Sequence, residues 1–208
     1  VNTHDAEPIA PGPALERLVQ GNARFVAGKG VAYTGFRADL VSGQSPFAVV
    51  VGCSDSRAPS EIVFDVGLGD LFVVRVAGNI VAPSQIGSVE FAVSKFGTRL
   101  VVVMGHTRCG AIAATLDTLA GAQADSRNLA SITDRIAPNI REVAAAHDDP
   151  ERRSRACVTA NVRASVAHLS YGSRMLEELT LAKRVAIVGA VYAVETGLVS
   201  VLEADAVK

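Results

Sequence analysis

The chain has 208 residues, 49% of them hydrophobic and 5% aromatic with no Trp, and its 20 basic and 21 acidic residues give a formal charge of -1. That length fits one domain and buries roughly 70% of the unfolded surface, so no metal or disulfide is needed for folding. Balanced charge and scarce aromatic rings argue against a nucleic-acid partner. No apolar run reaches the ~18 residues that cross a bilayer, so the chain reads as soluble, with no membrane partner.

Residues 1–13, with Pro8, Pro11, Gly12 and Pro13, read as an irregular N-terminal arm, and 14–208 as a single domain. From Ala14, residues Leu15, Leu18, Val19, Phe25 and Val26 recur at near-helical spacing up to Gly28. Such a helix ahead of the first core strand packs on a neighbour or a partner subunit. Residues 37–43 give a second short helical stretch. One theme then repeats: short, branched apolar runs that end in polar, Gly-rich turns. The runs are 47–51, 71–76, 99–104, 184–192 and 198–203, with helical segments at 84–96, 110–120, 129–147 and 154–169 between them. Val-rich strands without alternation are buried on both faces, which predicts a parallel sheet covered by helices. The turn Glu195–Gly197 predicts a final hairpin and an antiparallel edge strand. The fold class is α/β: about four parallel strands plus an antiparallel edge strand, flanked by helices, with an N-terminal helical arm.

Arg152, Arg153 and Arg155 beside Asp148, Asp149 and Glu151 read as a solvated helix face. Three cysteines, Cys53, Cys109 and Cys157, argue against a disulfide framework and for a reducing compartment or a metal site. No basic-plus-apolar signal segment stands at the N-terminus, so a cytoplasmic location is expected, although the first residue is Val and not Met.

Ligands of open parallel sheets bind beyond the carboxyl ends of the strands. There the first and third strands run into Gly52-Cys53 and Gly105-His106. Cys53, His106 and Cys109 supply two thiolates and an imidazole, which suit zinc, and a Cys2His set leaves a fourth position open for catalysis. Read without that context, the two cysteines are equally small buried apolar residues. Asp55 and Arg57 sit two and four residues after Cys53. An arginine can grip a carboxylate bidentately and keep it ionised, so Asp55 could orient a water on the metal. It could also bind the metal itself as a fourth ligand in a closed state, and the pair also reads as a plain turn salt bridge. Cys157, His147 and His168 read as structural, and His4 lies in the arm.

Cys-Ser-Asp-Ser-Arg at 53–57, Gly-Asp-Leu-Phe-Val-Val-Arg at 69–75, Ala-Gly-Asn at 77–79, Gly87–Val93 and Gly-His-Thr-Arg-Cys-Gly at 105–110 together resemble the β-carbonic anhydrases. The resemblance spans about residues 14–203. It implies reversible hydration of CO2 to bicarbonate and a proton by attack of zinc-bound hydroxide. It also implies zinc on Cys53, His106 and Cys109, with Asp55 and Arg57 as the catalytic dyad. Gln44, Phe72, Phe91 and Gly110 would be substrate-binding. Family members are homodimers or homotetramers with active sites at the subunit interface, which would let Gln44 and Phe72 serve a partner's zinc. Phe91 stands where many members have Tyr, so a relay through that hydroxyl is absent. Val76 replaces a frequent Asn, and Val50 stands where bicarbonate-inhibited members carry Trp, so no such inhibitory site is expected. Two rivals remain at this stage: a related zinc hydrolase of carbon disulfide or carbonyl sulfide, and a nucleotide-binding α/β module. The second lacks both Gly-x-Gly-x-x-Gly after the first strand and a P-loop.

Overall fold

The computed structural model of the protein describes residues 8–30 and 38–203. The arm residues 1–7, His4 among them, and Arg37 lie outside the described residues. Five strands form one sheet: β1 Ala48–Gly52, β2 Leu71–Arg75, β3 Leu100–His106, β4 Ala186–Tyr192 and β5 Val199–Leu202. Their order is β2-β1-β3-β4-β5. All neighbours are parallel except β4 and β5, which pair antiparallel with Tyr192 opposite Val199. The expected sheet is present, edge hairpin included.

Burial explains the sequence pattern. Every residue of β1 and β3 is buried, because helices cover both faces. Val49, Val51, Val101 and Val103 point to one face, under α3 (Pro83–Phe96), α6 (Pro150–Tyr171) and α7 (Arg174–Leu181). Val50, Val102 and Met104 point to the other, under α1 (Pro11–Val26) and α2 (Ser60–Val63). Each fully buried Val contributes about 1.5–3 kcal/mol relative to exposure. A third apolar cluster lies between α4 (Gly110–Leu119), α5 (Arg127–Ala145) and α6, and contains Ile112, Ile136, Ile140 and Cys157.

Three readings change in detail. The first helix begins at Pro11 and not Ala14; Pro at the first helical position costs no hydrogen bond. Ala14, Leu15 and Leu18 bury against the chain's own sheet. Gly21 is required there, because a Cβ would lie 1.8 Å from the Phe64 carbonyl oxygen of α2. Second, α6 starts at Pro150 and not near 154, since Asp149 caps it by accepting the Arg152 N–H at 2.8 Å. Third, α2 and α7 were not foreseen. The first is four residues long, and the second opens at a Ser173 cap that accepts the Leu176 N–H at 3.2 Å. Among the described residues, no helix is long and apolar enough to cross a membrane.

Chain order and sheet order diverge at one place. From β1 the chain goes to β2 on one side, then crosses to β3 on the other. A crevice opens at such a switch point, beyond the carboxyl ends of β1 and β3.

Candidate metal centre

Cys53 follows the last residue of β1, His106 is the last residue of β3, and Cys109 is the N-cap residue of α4. Between the last two, Arg108 takes a left-handed conformation with φ 56°, which turns the chain back toward Cys53. The donor atoms of Cys53, His106 and Cys109 all lie within 4.8 Å of one another, and the three residues are buried. That is the scale of one coordination sphere with bonds of about 2.0–2.3 Å.

The surroundings define which atoms are offered. His106 Nδ1 is 2.9 Å from the Thr107 carbonyl oxygen, so it carries the proton and donates there, leaving Nε2 with a lone pair. His106 Nε2 is buried without a hydrogen-bond partner. An orphaned imidazole nitrogen between two thiols costs free energy unless something else satisfies it, and a metal ion does so. The N-terminus of α4 favours negative charge on Cys109, and the Gly78 N–H donates to the Cys53 sulfur at 3.3 Å.

Without a metal the two thiols share charge unequally. Cys109, donating to Cys53, holds the Cys53 thiol far below its ordinary value, against the opposing effect of burial. The same hydrogen bond, with burial, pushes Cys109 up. Burial pulls His106 down, but the Cys53 sulfur, the Thr107 carbonyl and the Asp55 carboxylate together outweigh it and leave the imidazole above its ordinary value.

Asp55 stands at the open side. Its Oδ2 is 3.9 Å from His106 Nε2. Arg57 donates to both carboxylate oxygens, from Nε to Oδ1 at 2.9 Å and from Nη2 to Oδ2 at 2.8 Å, and its backbone N–H adds a third bond. These bonds hold the Asp55 carboxyl well below the usual carboxylate range. The pair holds one carboxylate oxygen of Asp55 3.9 Å from His106 Nε2. Arg57 Nη2 also reaches the Arg108 carbonyl at 3.2 Å, which links the two turns.

The other candidates divide. Gly110 follows Cys109 as the first residue of α4 and is exposed. Gln44 precedes β1, and Phe72 pairs with Val49, four residues before Cys53 along β1, or about 13 Å. That register sets Phe72 away from the centre of its own chain. Phe72 instead packs with Phe91 and Phe96, ring centroids 5.7–6.1 Å apart, and Phe91 is 51% exposed on α3. Cys157 is helical as expected, but it lies in apolar packing and not in polar surroundings. Arg153 donates to the His147 and Asp148 carbonyls and Arg155 pairs with Glu151, as a solvated helix face does.

Sequence reasoning missed two supports. Arg75 donates from Nε to the Cys53 carbonyl at 2.9 Å and from Nη2 to the Asp55 carbonyl at 2.6 Å, fixing the turn that carries both. Its place at the end of the strand beside β1 was the available signal. Glu195 accepts from the Thr107 hydroxyl at 2.6 Å and from Arg108 Nε at 2.9 Å, and so fastens the turn between His106 and Cys109 to the β4–β5 hairpin. These bonds hold the Glu195 carboxyl down at about 2.

A family model described as carbonic anhydrase matches residues 48–199. Carbonic anhydrase 2 of Mycobacterium tuberculosis is 37% identical over 200 residues, which cover 93% of this chain and 92% of the relative. The carbonic anhydrase of Mycolicibacterium smegmatis is 38% identical over 204 residues, 94% and 93% of the two chains. Among solved structures, a tetrameric β-carbonic anhydrase of Sordaria macrospora superposes with a TM-score of 0.71 at 26% identity, over 79% of this chain and 84% of that one. A Coccomyxa β-carbonic anhydrase in complex with acetazolamide gives 0.68 at 25% identity, over 91% and 85%.

Proposed function

The chain belongs to the carbonic anhydrase family, and from that premise we propose that it hydrates CO2 reversibly at a zinc ion held by Cys53, His106 and Cys109. One observation carries the metal reading: three buried donors converge within 4.8 Å, and His106 Nε2 among them has no other partner. Two thiolates and an imidazole fit zinc. Zinc bound there would lower the pKa of a water and so supply a nucleophile near neutral pH.

The chain's own residues do the rest. Asp55, kept ionised by Arg57, accepts a hydrogen bond from the attacking water and orients it toward carbon. Bidentate pairing with Arg57 supports a resting state in which Asp55 leaves the fourth position open; in a closed state it would exchange Arg57 for the metal. The Gly110 N–H, at the positive end of α4, is placed to stabilise charge on bicarbonate oxygen.

Assembly enters because one chain leaves the pocket unfinished. Gln44 and Phe72 lie near the amino half of β1, away from their own centre, and would complete a partner's. Val41 is 80% exposed, and Phe91 and Leu198 are each 51% exposed, which supports a homodimer as the basic unit, paired again in a tetramer. The Sordaria relatives are described as tetrameric.

Zinc-loaded protein supplied with CO2 in one experiment and carbon disulfide in another tests the reading. Rapid CO2 hydration without sulfide release is expected. Sulfide release with no CO2 hydration would overturn it in favour of a heteroallene sulfide hydrolase.

A further inference from the structure

The buried face of α6 carries Cys157, Val158, Asn161, Val162, Ser165 and Leu169, all at most 2% exposed. Two polar side chains on such a face destabilise unless fully bonded. Both are spent on one short turn. Asn161 Nδ2 donates to the Gly78 carbonyl at 2.8 Å, and Ser165 Oγ donates to the Asn79 carbonyl at 3.0 Å. Asn139 Nδ2, from α5, lies 3.4 Å from Asn161 Oδ1 and sets which way the amide faces. The turn these bonds grip is left-handed: Gly78 and Asn79 have φ of 68° and 44°. It is also clamped, since a Cβ on Gly78 would lie 2.7 Å from Ile136 Cδ1 and 2.9 Å from Ala111 Cβ. The free end of Gly78, its N–H, donates to the Cys53 sulfur at 3.3 Å.

We propose that Asn161 is a positioning residue for the metal centre: from α6 it fixes Gly78 so that the Gly78 N–H aims and partly neutralises the Cys53 sulfur. Asn161 touches neither metal nor substrate. Ser165 supports the same turn one carbonyl further on. The inference rests on Cys53 being a metal ligand, and it extends the centre to a helix 83 residues away along the chain from the turn it holds. Outer partners of this kind change metal affinity on the order of 10–100-fold when removed.

Three properties of Asn161→Ala, Asn161→Asp and Ser165→Ala test this: zinc affinity by competition with a chromophoric chelator, the thiolate-to-cobalt charge-transfer band of cobalt-loaded protein, and Tm of metal-free protein. Zinc affinity is expected to fall about tenfold or more in both Asn161 variants. The cobalt band is expected to move to lower energy, because a sulfur that loses its N–H donor gives up electrons more readily. Ser165→Ala should move both in the same direction by less, and it serves as the reading if the Asn161 variants do not fold. A lower Tm with zinc affinity within twofold of wild type and an unmoved cobalt band would overturn the proposal, since a merely structural role gives that pattern. Wild-type protein that takes up neither metal would overturn the metal reading and this inference together. Normal uptake by wild type and all folded variants overturns this inference alone.

Discussion

At the carboxyl ends of β1 and β3, nearly every polar group is matched within the chain: Arg57 with Asp55, Arg75 with the Cys53 and Asp55 carbonyls, Glu195 with Thr107 and Arg108. At the outer flank of edge strand β2, the surface is instead aromatic and open, with Phe91 half exposed over Phe72 and Phe96. Among the described residues, Ser60 Oγ, Asn79 Nδ2 and His106 Nε2 are buried there without a partner, and the last stands beside two thiols, where an ion would satisfy it. The second region leaves an aromatic ring half in solvent. Chemistry that needs fixed angles is built from charge-assisted hydrogen bonds, and assembly that needs area is built from apolar rings.

The strongest way to break the first region is to remove a donor. Cys53→Ser or His106→Ala is expected to abolish stable zinc uptake and bring CO2 hydration down to the uncatalysed rate, read by metal analysis and stopped-flow. Asp55→Asn should keep zinc and fold yet lose activity about 10²-fold, the usual worth of a positioned proton acceptor. Together these separate holding the metal from using it. Breaking the second region calls for Phe91→Arg. Its expected effect is to weaken self-association by about 2 kcal/mol if Phe91 is a central anchor, seen as a shift to smaller species in sedimentation.

Smaller effects sharpen the contrast. Gly78→Ala places a Cβ against Ile136 at φ 68° and should cost about 1–3 kcal/mol in denaturant melts. Glu195 tests the electrostatics. Its folded pKa, about 2, lies below the ordinary 4.5, so its stabilising contribution is full above the unfolded value and disappears as pH falls from there through 2. Glu195→Gln should therefore lower stability at neutral and alkaline pH and flatten the acid limb, so that the variant and wild-type curves converge as pH falls through that window.

How much of this was legible in the sequence follows the range of the interactions. Continuous Val runs announce strands buried on both faces, because that pattern is set by each strand's own environment. The three candidate donors are legible because Cys53 and His106 sit where a strand meets a turn and Cys109 opens the helix that follows, so residues 53–57 and 105–110 concentrate the chemistry locally. Helix α7 was missed because eight residues between Gly172 and Lys183 give too short a periodic pattern, and its Ser173 cap also takes a partner, Glu90, on α3. The pairing of Asn161 with Gly78 was invisible for a different reason: 83 residues separate them, and nothing in a helix sequence shows which buried amide will meet which carbonyl. Gln44 and Phe72 show the remaining limit, since a role proposed at a second copy's centre leaves no mark in the geometry of one chain.

The most direct measurement is stopped-flow CO2 hydration at pH 8.5 on protein stripped of metal and then reloaded with measured amounts of zinc. The account predicts an inert stripped protein whose activity returns in proportion to zinc and saturates at one ion per chain. Activity that survives complete removal of metal, or zinc-saturated protein that hydrates CO2 no faster than buffer, would contradict it.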